Sequence, residues 1–136
     1  MTTEVPGLAL ALKREPVLLR MELHRLNGEK LDAQVTFPDE VAALTLKAFA
    51  SQVRDKPTDV VDLWRCLEIA YAAGADAASL ATGEAAEAVR IVRALFDRRD
   101  GVGMSALVDE QRLSAMAADE RFTRIRALIH RALPVP

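Results

Sequence analysis

The sequence predicts an α+β fold: a small antiparallel sheet, formed by an N-terminal hairpin, followed by and packed against a helical bundle of four to five helices. Three observations carry that prediction. Apolar residues alternate with polar ones before Pro38, recur at helical spacing after it, and the composition favours helix. The chain is 51% hydrophobic but only 4% aromatic, with alanine and leucine prominent, the residues that lose least side-chain freedom in a helix. Its 136 residues suit one domain, a strand region over 1–37 and a helical region over 38–136, large enough to bury a core without cross-links.

The first strand runs from Val17 to Arg25, with Val17, Leu19, Met21 and Leu23 on one face and Leu18, Arg20, Glu22 and His24 on the other. The second runs from Glu29 to Phe37 and places Leu31, Ala33, Val35 and Phe37 together. A two-residue Asn27-Gly28 turn would set Leu23 against Asp32 and mix the faces. A three-residue loop, Leu26-Asn27-Gly28 with Gly28 left-handed, instead pairs Arg25 with Glu29, Leu23 with Leu31, Met21 with Ala33, Leu19 with Val35 and Val17 with Phe37. Gly7 to Leu12 reads as a further strand before the Lys13–Pro16 turn.

Pro38-Asp39-Glu40 opens the first helix, since proline suits a first turn and acids suit the positive helix end. It is expected to reach Arg54, with Ala42, Leu46, Phe49 and Val53 as its core face. Asp55 to Thr58 breaks it. A second helix follows from Thr58 to Ala73, closed by Gly74, with Val60, Leu63, Trp64, Leu67 and Tyr71 inward. Further helices are expected over 82–98, 104–110 and 119–133, the last with Phe122, Ile125, Ile129 and Leu133 as its core stripe.

One constellation has the ingredients of phosphate chemistry. Lys47 and Arg54 share a polar stripe of the first helix, because an offset of seven residues returns to the same side. Asp59 and Asp62 share a face in the first turn of the next helix, and the short connection makes the two helices antiparallel neighbours, with the acids expected near the Arg54 end of the stripe. Nucleotidyl transfer needs cations to hold triphosphate oxygens and carboxylates to hold magnesium or orient an attacking group. A structural role remains open for the same residues: first-turn acids complement the helix dipole, and a basic stripe ordinarily faces solvent.

The run ALTLKAFASQVRDKPTDVVDLWRCLE resembles the lysine–arginine–(K/R)D–xx–DL motif of the abortive-infection, AbiEii/AbiGii-type nucleotidyltransferases, which include toxins of toxin–antitoxin systems. The resemblance spans residues 17 to 73. It implies phosphate binding by Lys47 and Arg54, and catalytic roles for Lys47, Asp59 and Asp62, with either acid orienting Lys47 or the acceptor, tRNA in related toxins. It also implies Mg²⁺ and a nucleoside triphosphate as ligands if the other half of the site is supplied. That half, a Gly-Ser turn followed by an Asp-x-Asp or Asp-x-Glu pair, has no counterpart before Lys47. The chain therefore reads as the second half of such an enzyme: a truncated product, one with a misassigned start, or a catalytically silent relative. Alone it is expected to transfer no nucleotide, to hold no metal and to show no evident cofactor. The competing expectation is a non-catalytic helical module that binds a partner chain, an antitoxin or a second chain supplying the missing half; a homo-oligomer also fits.

The remaining features point elsewhere. Net charge is −2 and the pI about 5.7, so no global basic field marks a nucleic-acid binder. Arg121, Arg124, Arg126, His130 and Arg131 on the last helix suit either RNA or solvent. The single cysteine, Cys66, reads as a small buried hydrophobe, and His24 and His130 as surface residues. Asp100-Gly-Val-Gly103 reads as a helix connector. With no long apolar run and no leader pattern, the expectation is a cytoplasmic protein without a membrane anchor.

Overall fold

The computed structural model describes residues 4–54 and 56–134. The chain runs α1 (Leu8–Lys13), β1 (Val17–His24), β2 (Lys30–Phe37), α2 (Glu40–Val53), α3 (Pro57–Ala72), a 3₁₀ turn (Ala77–Leu80), α4 (Gly83–Phe96), α5 (Val102–Gln111) and α6 (Ala115–Ala132). The α+β class holds, with a two-stranded antiparallel hairpin ahead of helices α2 to α6. Helices α2 to α6 are the expected bundle, and α1 is an additional helix.

The hairpin takes the expected register, from Val17 opposite Phe37 to Leu23 opposite Leu31. Arg25 N donates to Glu29 O at 2.8 Å, Gly28 N donates to Arg25 O at 3.0 Å, and Gly28 has φ +87°. That is the glycine-bulge turn which keeps the faces unmixed. The expected packing of this sheet on the bundle is not found. Its apolar side chains stay exposed, with Val17 at 50%, Leu19 and Leu23 at 45%, Leu31 at 43% and Phe37 at 45%.

The segment expected as an extra strand, Gly7 to Leu12, instead forms the N-cap and most of helix α1, Leu8–Lys13. Its alternation of leucine and alanine fits either state, and tertiary contacts decide. The Glu84 carboxylate, at the start of α4, accepts from Gly7 N at 2.8 Å and from Leu10 N at 3.1 Å, satisfying amides that open α1. Gly7 has φ +84° and lies against Leu46 and Phe49 of α2, where an added Cβ would stand 3.2 Å from Leu46 Cδ2.

Asp39 caps α2: Oδ1 accepts from Ala42 N at 2.9 Å while Oδ2 accepts from Arg14 Nε at 2.5 Å. The core side of α2 is Val41, Ala42, Leu44, Thr45 and Ala48, which corrects the expected Ala42–Leu46–Phe49–Val53 face. Leu46 and Phe49 are only half-buried, beside the start of α1, and Val53 is 76% exposed. Thr45 is accommodated inside because its hydroxyl donates to Val41 O at 2.8 Å.

On α3 the expected inward residues Val60, Leu63, Trp64 and Leu67 are buried, joined by Val61 and Ala70, while Tyr71 lies at the margin. Gly74, φ +69°, ends the helix as expected, with Gly74 N on Tyr71 O and Ala75 N on Ala70 O. Helix α6 starts earlier than expected, because Ser114 caps it by accepting from Ala117 N. Its inward stripe is Ile125, Leu128, Ile129 and Ala132. These side chains meet Leu44, Leu63, Leu67, Leu80, Phe96, Met104 and Leu107 in one core. Where α5 begins, Gly103 lets the backbones touch: a Cβ there would stand 2.5 Å from Leu95 O.

Candidate functional site

Helices α2 and α3 pack as the expected antiparallel neighbours, and their seam holds the sequence-predicted cluster. Lys47 Nζ donates to Asp62 Oδ2 at 2.9 Å and stands 3.9 Å from Asp59 Oδ1. The acids therefore meet Lys47, two helical turns back from the Arg54 end where they were expected. Antiparallel packing explains the displacement: as α3 leads away from the connection, its first turns run back alongside α2.

The two acids differ in environment. Asp62 is half-exposed and shared between Lys47 and Arg65, whose Nη1 lies 3.5 Å from Asp62 Oδ1. Asp59 is only 4% exposed, and its Oδ2 has no hydrogen-bond partner among the described residues. A buried carboxylate with one unpaired oxygen relies on a nearby cation for compensation, and Lys47 is placed to supply it. Cys66, one turn beyond Asp62, is half-buried against the core. Burial pushes its thiol above the usual range, Lys47 pulls the other way, and Asp62 adds to the rise. Beside the cluster, the thiol thus favours its protonated form.

Lys47 and Arg54 line the same groove, a cavity of about 440 Å³ bounded by Val5, Pro6, Leu46, Phe49 and Val53. Two cations about 10 Å apart along the helix axis thus flank an apolar floor. Glu4 stands at the rim. Arg54 also lines a second depression of about 370 Å³ with Ser51, Gln52 and Lys56, at the start of α3. Among the described residues no side chain caps that helix start, and Asp59 in its first turn complements the helix's positive end. The arrangement can receive an anion at the Arg54 end and a flat apolar group along Phe49. Among the described residues no group of three or more His, Cys, Asp or Glu side chains is placed to hold an ion.

The sequence singled out Lys47, Arg54, Asp59 and Asp62 and passed over four of their neighbours, Arg65, Phe49, Val5 and Pro6. Arg65 was hidden because an i,i+3 partner of Asp62 reads as ordinary helix surface. Phe49 was assigned to the core by periodicity, and Val5 and Pro6 precede any recognisable pattern.

Arg121, Arg124 and Arg126 of α6 are occupied within the chain. Arg121 stacks over Trp64 at 5.2 Å, Arg124 binds both Glu68 oxygens at 3.0 and 2.7 Å, and Arg126 donates to Asp97 O at 2.9 Å. They tie α6 to α3 and to the end of α4. His24 lies exposed beside Glu22 and His130 exposed beside Arg126. No helix among the described residues is long and apolar enough to cross a membrane. Compared with protein-family models, with curated proteins and with solved structures, the chain matches none.

Proposed function

We propose that this chain is a nucleotidyltransferase-like half-site of the AbiEii type, binding the phosphates of a nucleoside triphosphate through Lys47 and Arg54 without carrying out transfer alone. The observation that supports it is the placement of both cations on one groove, with Lys47 held at its inner end by Asp62 and Asp59. In this reading the acids position the Lys47 ammonium, Phe49 provides a face for the base, and catalysis awaits carboxylates from another chain to bring Mg²⁺. A fluorescent triphosphate analogue tests it. Saturable binding, weakened about tenfold by Lys47→Ala or Arg54→Ala, supports the reading, whereas binding indifferent to both excludes it.

A second reading, a non-catalytic interaction module, is favoured by a different observation: the exposed apolar face of the hairpin. A contiguous exposed apolar face is what a contact surface presents.

A further inference from the structure

The hairpin is the least self-sufficient part of the molecule. Two strands alone are marginal in water, and stability comes from a third strand or a covering helix. This sheet has two strands, and its apolar face carries Val17, Leu19, Leu23, Leu31 and Phe37 in the open.

The outer edge of β1 has a definite pattern. The bond from Arg25 N to Glu29 O sets the phase of the ladder, so odd-numbered residues of β1 direct their backbone groups toward β2. Leu18, Arg20, Glu22 and His24 direct theirs outward. A second β1 strand lying antiparallel on this edge, with Met21 on the two-fold axis, sets Arg20 opposite Glu22 and Glu22 opposite Arg20. The same register sets Leu19 against Leu23 on the apolar face and matches outward backbone groups with outward ones, giving about eight new hydrogen bonds. Sliding by two residues either way brings Arg20 against Arg20 or Glu22 against Glu22. Pairing through the β2 edge gives no comparable match, since its centred register sets Asp32 against Gln34 and Lys30 against Thr36. Glu22 already accepts from Lys30 at 3.0 Å, whereas Arg20 lies opposite Gln34 and makes no ion pair among the described residues.

We infer that the partner of the hairpin is a second copy of this chain, joined β1 edge to β1 edge in a four-stranded antiparallel sheet of order β2-β1-β1-β2. The symmetric operator requires the contact to be self-complementary, and the Arg20–Glu22 exchange makes it so. The inference gives the hairpin edge its partner, leaves the apolar face as it stands, and is independent of nucleotide binding.

Charge reversal tests it on the intact chain by analytical ultracentrifugation. Wild-type protein is expected to dimerise. Arg20→Glu faces Glu22 across the axis and is expected to weaken the dimer at least about tenfold. The double variant Arg20→Glu with Glu22→Arg restores the opposite-charge pairs and the dimer. Cross-linking checks the register separately, because residues on the axis at a non-hydrogen-bonded pair lie about 4.5 Å apart, close enough for a disulfide. In a Cys66→Ala background, Met21→Cys is expected to form a disulfide-linked dimer on mild oxidation, and Ala33→Cys is not. A wild-type chain monomeric at on the order of 100 μM, or a dimer that Arg20→Glu leaves intact and Met21→Cys fails to capture, overturns the inference. Nucleotide binding by a monomer would leave the half-site reading standing. A dimer insensitive to Arg20→Glu would leave the interaction reading standing without this edge.

Discussion

Nζ of Lys47 stands 3.9 Å from Oδ1 of Asp59, a carboxylate whose other oxygen is buried without a hydrogen-bond partner among the described residues. The lysine thus has two tasks. It compensates a charge on the buried seam between α2 and α3, and it presents the rest of its ammonium to the groove. Its partner Asp62, half-exposed, holds it with a bond of 2.9 Å that solvent screens.

Removing the lysine should therefore cost stability as well as ligand. Lys47→Ala removes the cation that buried Asp59 pairs with among the described residues and is expected to destabilise the fold by about 1–3 kcal/mol. Asp62→Asn, at a half-exposed position, is expected to cost less than about 1 kcal/mol. Urea unfolding of the two variants checks the order, and equal costs would contradict the assignment of Asp59 as the buried partner.

The attachment of α1 rests on Gly7 and Glu84. Glu84→Ala removes both acceptors from the α1 amides and is expected to cost about 1–2 kcal/mol. Amide exchange should rise over residues 8–13 before it rises in α3. Gly7→Ala forces an alanine to φ +84° against Leu46 and should cost a similar amount.

Gly103 makes the sharpest steric prediction. A methyl group there meets the Leu95 carbonyl at 2.5 Å, backbone against backbone, so α5 must move away from α4. Gly103→Ala is expected to destabilise by about 2–3 kcal/mol despite the higher helix propensity of alanine. Thermal unfolding measures it, and an unchanged midpoint would contradict the close approach.

Cys66 supplies a pH prediction. Its thiol is raised in the fold chiefly by burial, so the native state holds the proton more tightly than the unfolded chain. The contribution to stability is fully present below the unfolded-state thiol range and falls away as pH rises through the higher folded value. Alkylation by iodoacetamide should accordingly be slow in the native protein at mildly alkaline pH and fast once it is unfolded. Fast native labelling would contradict the burial.

The legible parts of this molecule were those governed by local rules. Alternation and the Asn27-Gly28 loop determine the register of β1 on β2, because only one loop length keeps Leu23 with Leu31. Spacing also placed Asp59 and Asp62 on the seam between α2 and α3, though at the Arg54 end instead of at Lys47, where they lie. What escaped depends on long-range contacts. Gly7–Leu12 is helical because Glu84, 77 positions after Gly7, satisfies its amides. Leu46 and Phe49 line a groove that exists only once α1 is in place. The sheet's open face was equally hidden, since alternation shows which face is apolar and says nothing of what covers it.

The central claim is that Lys47 and Arg54 hold phosphates on the groove beside Phe49. Isothermal titration of the chain with ATP and with adenosine, in Mg²⁺ buffer, tests it most directly. The account predicts saturable heat with ATP that is lost with adenosine, with Lys47→Ala and with Arg54→Ala. Adenosine binding as well as ATP, or ATP giving no heat at all, would contradict it.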